Sequence, residues 1–220
     1  MAIKKKTLNH ALNNLYSINV LYDGVSIMFH RISDNFPVAV QPNEWVRYQN
    51  NGEIANGVMI VEGGRILVVA PTEATLYWSR EAVSAGGMTT TDRVTALNDW
   101  SGKVNTAVQI THNECNTENC APGFCTSYHR SNLNGKGLTT GKWWLPSLGE
   151  LMMIRAHKHQ INYALSMING AMQLRGEWYW SSTEHSAGVA WGLVLGNCYA
   201  SNISKVHYQF GVRPVSELRP

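Results

Sequence analysis

The sequence predicts an α+β fold in which short helices pack around small antiparallel sheets, and three observations predict it. Strand-like runs open the chain, a capped helical stretch begins near Ser147, and strand and turn patterns return after Gly176 and continue to the end.

Among the early runs, Tyr22 to His30, Phe36 to Val40 and Gly57 to Val61 read as strands. Val58 to Val61 and Arg65 to Ala70 flank Glu62-Gly63-Gly64, where glycine can take the positive φ that a tight hairpin turn demands. Ser84 to Gly102 is small and polar and reads as a loop within one domain rather than a linker between two. From Gly102 onward, Val104, Ala107, Val108 and Thr111 recur at intervals of three and four, which predicts a short amphipathic helix with that stripe as its apolar face. A second short helix is expected after Pro122.

The clearest helix start is Leu145-Pro146-Ser147-Leu148-Gly149-Glu150. There Ser147 can accept from a free backbone N–H while Glu150 reaches back, forming a capping box. Leu151, Ile154, Ile161, Ala164, Leu165 and Ile168 continue one apolar face past a break around His157-Lys158-His159, and the stretch ends at Asn169-Gly170. Because His157 and His159 are two residues apart, they point to different helix faces and are expected in solvent rather than on one metal ion. The remaining strands are Glu177 to Ser182, Ala190 to Leu195 and Val206 to Val212, with Asn197 to Ser204 expected as a loop between strands that exposes Tyr199.

Composition narrows the functions. A chain of 220 residues is within reach of one hydrophobic core, and 44% apolar against 15% charged residues argues for a folded chain. Net charge is +3, yet the only basic run is Lys4-Lys5-Lys6, so nothing resembles a phosphate-tracking stripe and nucleic acid is not an expected partner. The stretch Thr7 to Asn14 is too polar for the apolar core of a signal peptide, and no window approaches the roughly 20 apolar residues of a membrane helix. Cys115, Cys120 and Cys125 are evenly spaced and followed by His129, whereas zinc sites favour paired cysteine knuckles. Ordinary thiols or a local disulfide are the alternatives, and no metal or cofactor is assigned.

Three phrases go together: Gly141-Lys142-Trp143-Trp144-Leu145-Pro146-Ser147-Leu148-Gly149-Glu150-Leu151, Trp178-Tyr179-Trp180-Ser181-Ser182-Thr183-Glu184, and Val212-Arg213-Pro214-Val215. With Leu76-Tyr77-Trp78-Ser79 and Asp99 to Thr106, they resemble the variable proteins of diversity-generating retroelements and their phage and bacterial relatives, which share a C-type lectin fold of the formylglycine-generating-enzyme type. The resemblance covers about Gly57 to Val215. It implies a C-type-lectin-like domain over 57–220, preceded by a strand-containing segment 1–56 for attachment or oligomerisation. It also implies a phage particle or cell surface as location.

In that family an error-prone reverse transcriptase rewrites asparagine codons near the gene's 3′ end, so the resemblance implies a hypervariable ligand-binding surface within about 185–211. The candidate positions are His185, Gly188, Val189, Gly192, Val194, Asn197, Cys198, Tyr199, Ala200, Ser201, Asn202, Ile203, Ser204, Val206, His207 and Gly211, with Trp180, Trp191 and Arg213 as fixed framework. Lys205 and Gln209 are not reachable from an asparagine codon by changing adenines and are read as framework or as differently encoded. Tyr199, His207 and Tyr208 are the expected anchors, since aromatic groups give large contact area at low entropic cost. Core packing is the competing reading for Tyr208 and the preferred one for Trp191 in its apolar strand; for Arg213 it is a structural ion pair.

The expected partner is a protein or surface receptor, and a homo-oligomer is compatible with the reading. A fixed-sequence phage or cell-surface structural or adhesion protein is the alternative. Catalysis of the formylglycine-generating type finds no support in the residues, because Cys198 stands without a nearby base and the His, Asp and Glu residues are dispersed. Calcium-held glycans are also disfavoured, since the C-terminal strands carry few carboxylates.

Overall fold

The computed structural model describes residues 23–218 and has an α+β architecture built on two five-stranded sheets and a small two-stranded one. The first sheet contains β1 (Gly24–His30), β2 (Pro37–Val40), β3 (Ala55–Glu62), β4 (Arg65–Val69) and β12 (Val215–Ser216), in the order β12-β4-β3-β1-β2 and antiparallel throughout. Alternation decides its faces. Ile27, Phe29, Val58, Ile60, Leu67 and Val69 enter the main core, while Met28, Met59, Val61 and Val68 pack on the other side with Leu138 and Trp143. The β3–β4 hairpin turns at Gly63 (φ 55°) and Gly64 (φ 79°), as expected.

The expected boundary between residues 56 and 57 falls inside β3, and β1 hydrogen-bonds along β3. Residues 24–56 share the core of the following region. They include a short helix, Trp45–Asn50, whose Trp45 ring lies 5.3 Å from Phe29. Residues 1–22, the rest of the expected attachment segment, lie outside the described residues.

The helices differ from expectation in one instructive way. Gly102–Gln109 is helical, but its valine stripe faces outward: Val104 is 64% exposed and Val108 41%, while Asn105, Thr106 and Gln109 are buried. Buried polar groups nearby explain the inversion. Asp99 accepts from Asn105 Nδ2 (2.8 Å), from Thr183 Oγ1 (2.7 Å) and from the Ser101 backbone N–H (2.8 Å). Gln109 Nε2 donates to the Ser182 carbonyl at 2.6 Å. Leaving such groups unpaired costs about 1–3 kcal/mol each, enough to outweigh the burial of a valine.

The helix after Pro122 is present as Ala121–Ser127. Within the stretch read as loop, a further helix, Arg93–Leu97, is capped by Asp92, which accepts from the Thr95 N–H at 2.7 Å. The Ser147–Glu150 capping box forms, the helix Leu148–Ala156 breaks at His157, and Lys158–Ser166 continues the apolar face formed by Ile161, Ala164 and Leu165. His159 is exposed, but His157 is half-buried with Nε2 3.5 Å from a Glu62 carboxylate oxygen.

The second sheet contains β5 (Ala74–Leu76), β8 (Trp178–Ser186), β9 (Val189–Val194), β10 (Tyr199–Ser204) and β11 (Phe210–Val212), in the order β10-β9-β8-β11-β5. Tyr199 to Ser204, expected as loop, is an edge strand in register with β9 from Tyr199↔Val194 to Ser204↔Val189. Conversely, the strand expected from Val206 begins only at Phe210. Pairing to a neighbour overrides the weak strand propensity of small polar residues. The two-stranded sheet, β6 (Arg130–Ser131) and β7 (Gly137–Leu138), lies in the connection before the capped helix.

Candidate functional site

Two buried charged clusters hold the C-terminal sheet. Lys205 and Glu184, both fully buried, form an ion pair. Lys205 Nζ also donates to the carbonyls of Val83 (2.6 Å) and Ala187 (3.0 Å) and lies 4.2 Å from the centre of the Trp78 ring. Glu73 accepts from Arg213 (2.7 Å), from Arg175 (2.8 Å) and from the Tyr179 hydroxyl (2.7 Å), while Arg213 donates further to the carbonyls of Ala70 and Met172. Burial, followed by the charge of Glu73, pushes the Tyr179 hydroxyl up to about 12, so it stays a hydrogen-bond donor at neutral pH. Arg213 is thus an ion-pair hub within the core.

On this frame the sheet turns one face inward and leaves the other partly open. Tyr179, Trp191, Leu193 and Ala200 enter the main core. On the opposite face, rings run side by side across the strands. Tyr199 meets Trp178 edge-on at 5.7 Å, Trp178 stacks on Phe210 at 5.5 Å, and Phe210 stacks on Tyr208 at 5.9 Å. Tyr199 is 52% exposed and Tyr208 54%, with Trp178 and Phe210 half-buried between them. Trp180 lies beneath, fully buried, its ring 4.7 Å from Phe210 and its Nε1 donating to the Leu76 carbonyl.

The expected binding positions divide among the two faces of the sheet, its interior and the adjoining turns. Val194, Ser201 and Ile203 share the aromatic face by register, since Val194 opposes both Trp178 and Tyr199, Ser201 opposes Gly192, and Ile203 opposes Ala190. Asn202 and Ser204 fall on the other face: Asn202 opposes Trp191 and bonds His185 Nε2 at 3.0 Å, and His185 packs against the Trp191 ring at 5.4 Å. His207 is tied by Nδ1 to Ser204 Oγ at 3.0 Å. The expected ligand-binding surface is therefore divided, with Tyr199 and Asn202 on different faces of the sheet. Tyr199 and Asn202 are three residues apart in one strand, and an odd separation sends their side chains to opposite sides.

Three positions are interior. Ala200 is buried in the core; a methyl on Gly192 would come within 3.0 Å of Ile203, and one on Gly211 within 2.8 Å of the Tyr179 ring. Side-chain variation at these sites would disturb packing, so they belong to the frame. Gly188, Val189 and Val206 are half-buried around the β8–β9 turn and after β10. Asn197 and Cys198 are exposed in the β9–β10 turn, where Cys198 takes the left-handed conformation (φ 62°) and Asn197 Oδ1 accepts from the Tyr199 N–H.

Trp178 and Phe210 escaped the residue reading. The signal lay in Trp178-Tyr179-Trp180, whose period of two sets both tryptophans on the face opposite Tyr179. Cys115, Cys120 and Cys125 are buried free thiols, and among the described residues no group of three metal-ligating side chains converges. Burial pushes the Cys115 thiol up to about 12 and Cys125 well above its ordinary range. No helix among the described residues is long and apolar enough to cross a membrane.

No protein-family model matches the chain, and no curated protein matches it. Among solved structures it is similar to a fimbrial protein from Bacteroides ovatus, at 15% identity and a TM-score of 0.44; the match covers 69% of this chain and 35% of that one, so the chain spans about a third of its length.

Proposed function

We propose that this chain is a recognition module that binds a protein ligand through the aromatic face of its C-terminal sheet, serving adhesion or attachment at a cell or particle surface, without catalysis. The observation that carries this reading is the contiguous row Tyr199, Trp178, Phe210 and Tyr208, with its two tyrosines half exposed over a frame fixed by buried ion pairs. Rigid aromatic groups over a braced sheet lose little entropy on contact, which is what concentrates binding energy in a few anchors. High thiol pKa values at Cys115 and Cys125 are the reverse of what a thiolate nucleophile needs.

Retroelement diversification is the narrower form of this reading. It draws on the motif resemblance and on the exposed or half-buried setting of Val194, Asn197, Tyr199, Ser201, Asn202, Ile203, His207 and Tyr208. Its test is the DNA beside the gene, which should hold a reverse transcriptase and an adenine-rich near-copy of the codons for 184–214. If neither is present, the module has a fixed sequence. For the binding itself, protein arrays probed with the wild-type chain and with Tyr199→Ser/Tyr208→Ser should show at least one ligand lost by more than tenfold in the variant at unchanged thermal stability. Equal binding by both proteins would overturn the proposal.

A further inference from the structure

A cavity of about 430 Å³ is lined by the ends of β1, β2 and β12 of the first sheet and by the β6–β7 hairpin and the residues that follow it. It shares no lining residue with the aromatic row. Among the described residues its lining carries Lys103, Lys136, Lys142 and His30, against one carboxylate, Glu217, which pairs with Lys103 at 2.7 Å. With His30 neutral, the lining has two positive charges in excess. The chain as a whole has a formal net charge of only +3, so this is a local concentration of cations.

The walls are built by buried amides. Asn56, fully buried, accepts at Oδ1 from the His30 Nδ1–H (2.6 Å), and its Nδ2 donates to the Arg130 carbonyl at 2.7 Å. Asn132, also buried, donates from Nδ2 to the His30 carbonyl (3.1 Å) and to Asn35 Oδ1 (3.1 Å), which fastens the β6–β7 hairpin to β1. Ser216 Oγ donates to the Lys142 carbonyl at 2.7 Å and fixes the opposite rim. Gly137, at φ 132°, leaves room for Asn56, whose Nδ2 would stand 2.7 Å from an added methyl. Burial, and secondarily the charge of Lys142, lower the basicity of His30, consistent with a positive field at this point.

We propose that this cavity binds a small anion carrying two or more charges on carboxylate or phosphate groups, with Lys136 and Lys142 as its counter-charges. The volume suits a small molecule rather than a bare ion, and a rigid wall lowers the ordering cost of binding.

The test is calorimetric titration of the full chain with citrate and, separately, with pyrophosphate at low ionic strength, repeated on Lys136→Gln/Lys142→Gln. Saturable binding of either anion, weakened at least tenfold in the variant at unchanged thermal stability, supports the site; the anion preferred identifies carboxylate or phosphate as the recognised group. Absence of saturable binding with both anions, or equal affinity in the variant, overturns it. Because both substituted lysines are exposed, the variant is expected to fold.

Discussion

The two five-stranded sheets solve the same problem with different chemistry. The first buries apolar side chains on both faces, and its strands read as near-continuous Val, Ile, Met and Phe. The second places Lys205, Glu184, Glu73 and Arg213 inside and leaves Tyr199 and Tyr208 outside. A sheet fixed from within by charge and hydrogen bonds can carry aromatic groups on its open face without using them as core. Exposed rings there are available for contact, whereas the rings on the first sheet are needed for folding.

The sharpest way to break this contrast is to remove one buried charge. Lys205→Met leaves Glu184 uncompensated in the interior and should destabilise the chain by about 3–5 kcal/mol in urea unfolding; Glu184→Gln added to it should restore a large part. If Lys205→Met is neutral, the second sheet is not held as described.

A pH experiment follows in size. Burial raises Glu150 to about 7 from its ordinary 4.5, against the hydrogen bonds from Ser147 N–H and Trp144 Nε1 that favour the carboxylate. Between those values the folded chain keeps a proton that the unfolded chain releases. This contribution to stability is therefore complete below the unfolded pKa and is lost as pH rises through about 7, amounting to about 3 kcal/mol. Denaturation curves across pH 4 to 8 should show this decline in the wild type and lose it in Glu150→Gln.

Smaller effects separate inside from outside within single elements. Asn105→Leu removes partners from Asp99 and from the Met88 N–H, which Asn105 Oδ1 accepts at 2.8 Å, and should cost about 1–3 kcal/mol. Val104→Ser on the same helix should stay within about ±0.5 kcal/mol, reversing the ranking that hydrophobicity alone predicts. Thermal unfolding of the pair decides it.

The same contrast explains what was legible in the sequence. The apolar runs Val58 to Val61 and Arg65 to Ala70 on either side of Gly63-Gly64, and the Ser147–Glu150 box, are local signals that the core reinforces, and they located their elements. Helical spacing of Val104 and Val108 pointed to the wrong face because the Ser182 carbonyl that takes Gln109, and the Thr183 hydroxyl that joins Asn105 on Asp99, lie on β8, far away in sequence. Strand β10 was hidden because Tyr-Ala-Ser-Asn-Ile-Ser carries no apolar alternation and takes its shape from β9. In the candidate site, Tyr199 and Tyr208 were visible as aromatic residues among small ones. Their meeting through Trp178 and Phe210, and the separation of Asn202 from them, depend on strand order and register, which no local pattern contains.

If the C-terminal sheet is a fixed frame with a replaceable exterior, its buried and exposed positions differ in what they tolerate. Saturation mutagenesis at Gly192, Ala200 and Gly211 and, for comparison, at Tyr199, Ser201, Asn202 and Tyr208, scored by display of folded protein, measures that difference. The first three positions should accept few residues and the last four most polar and aromatic ones. Equal tolerance across the two groups, or greater tolerance at the buried positions, would contradict it.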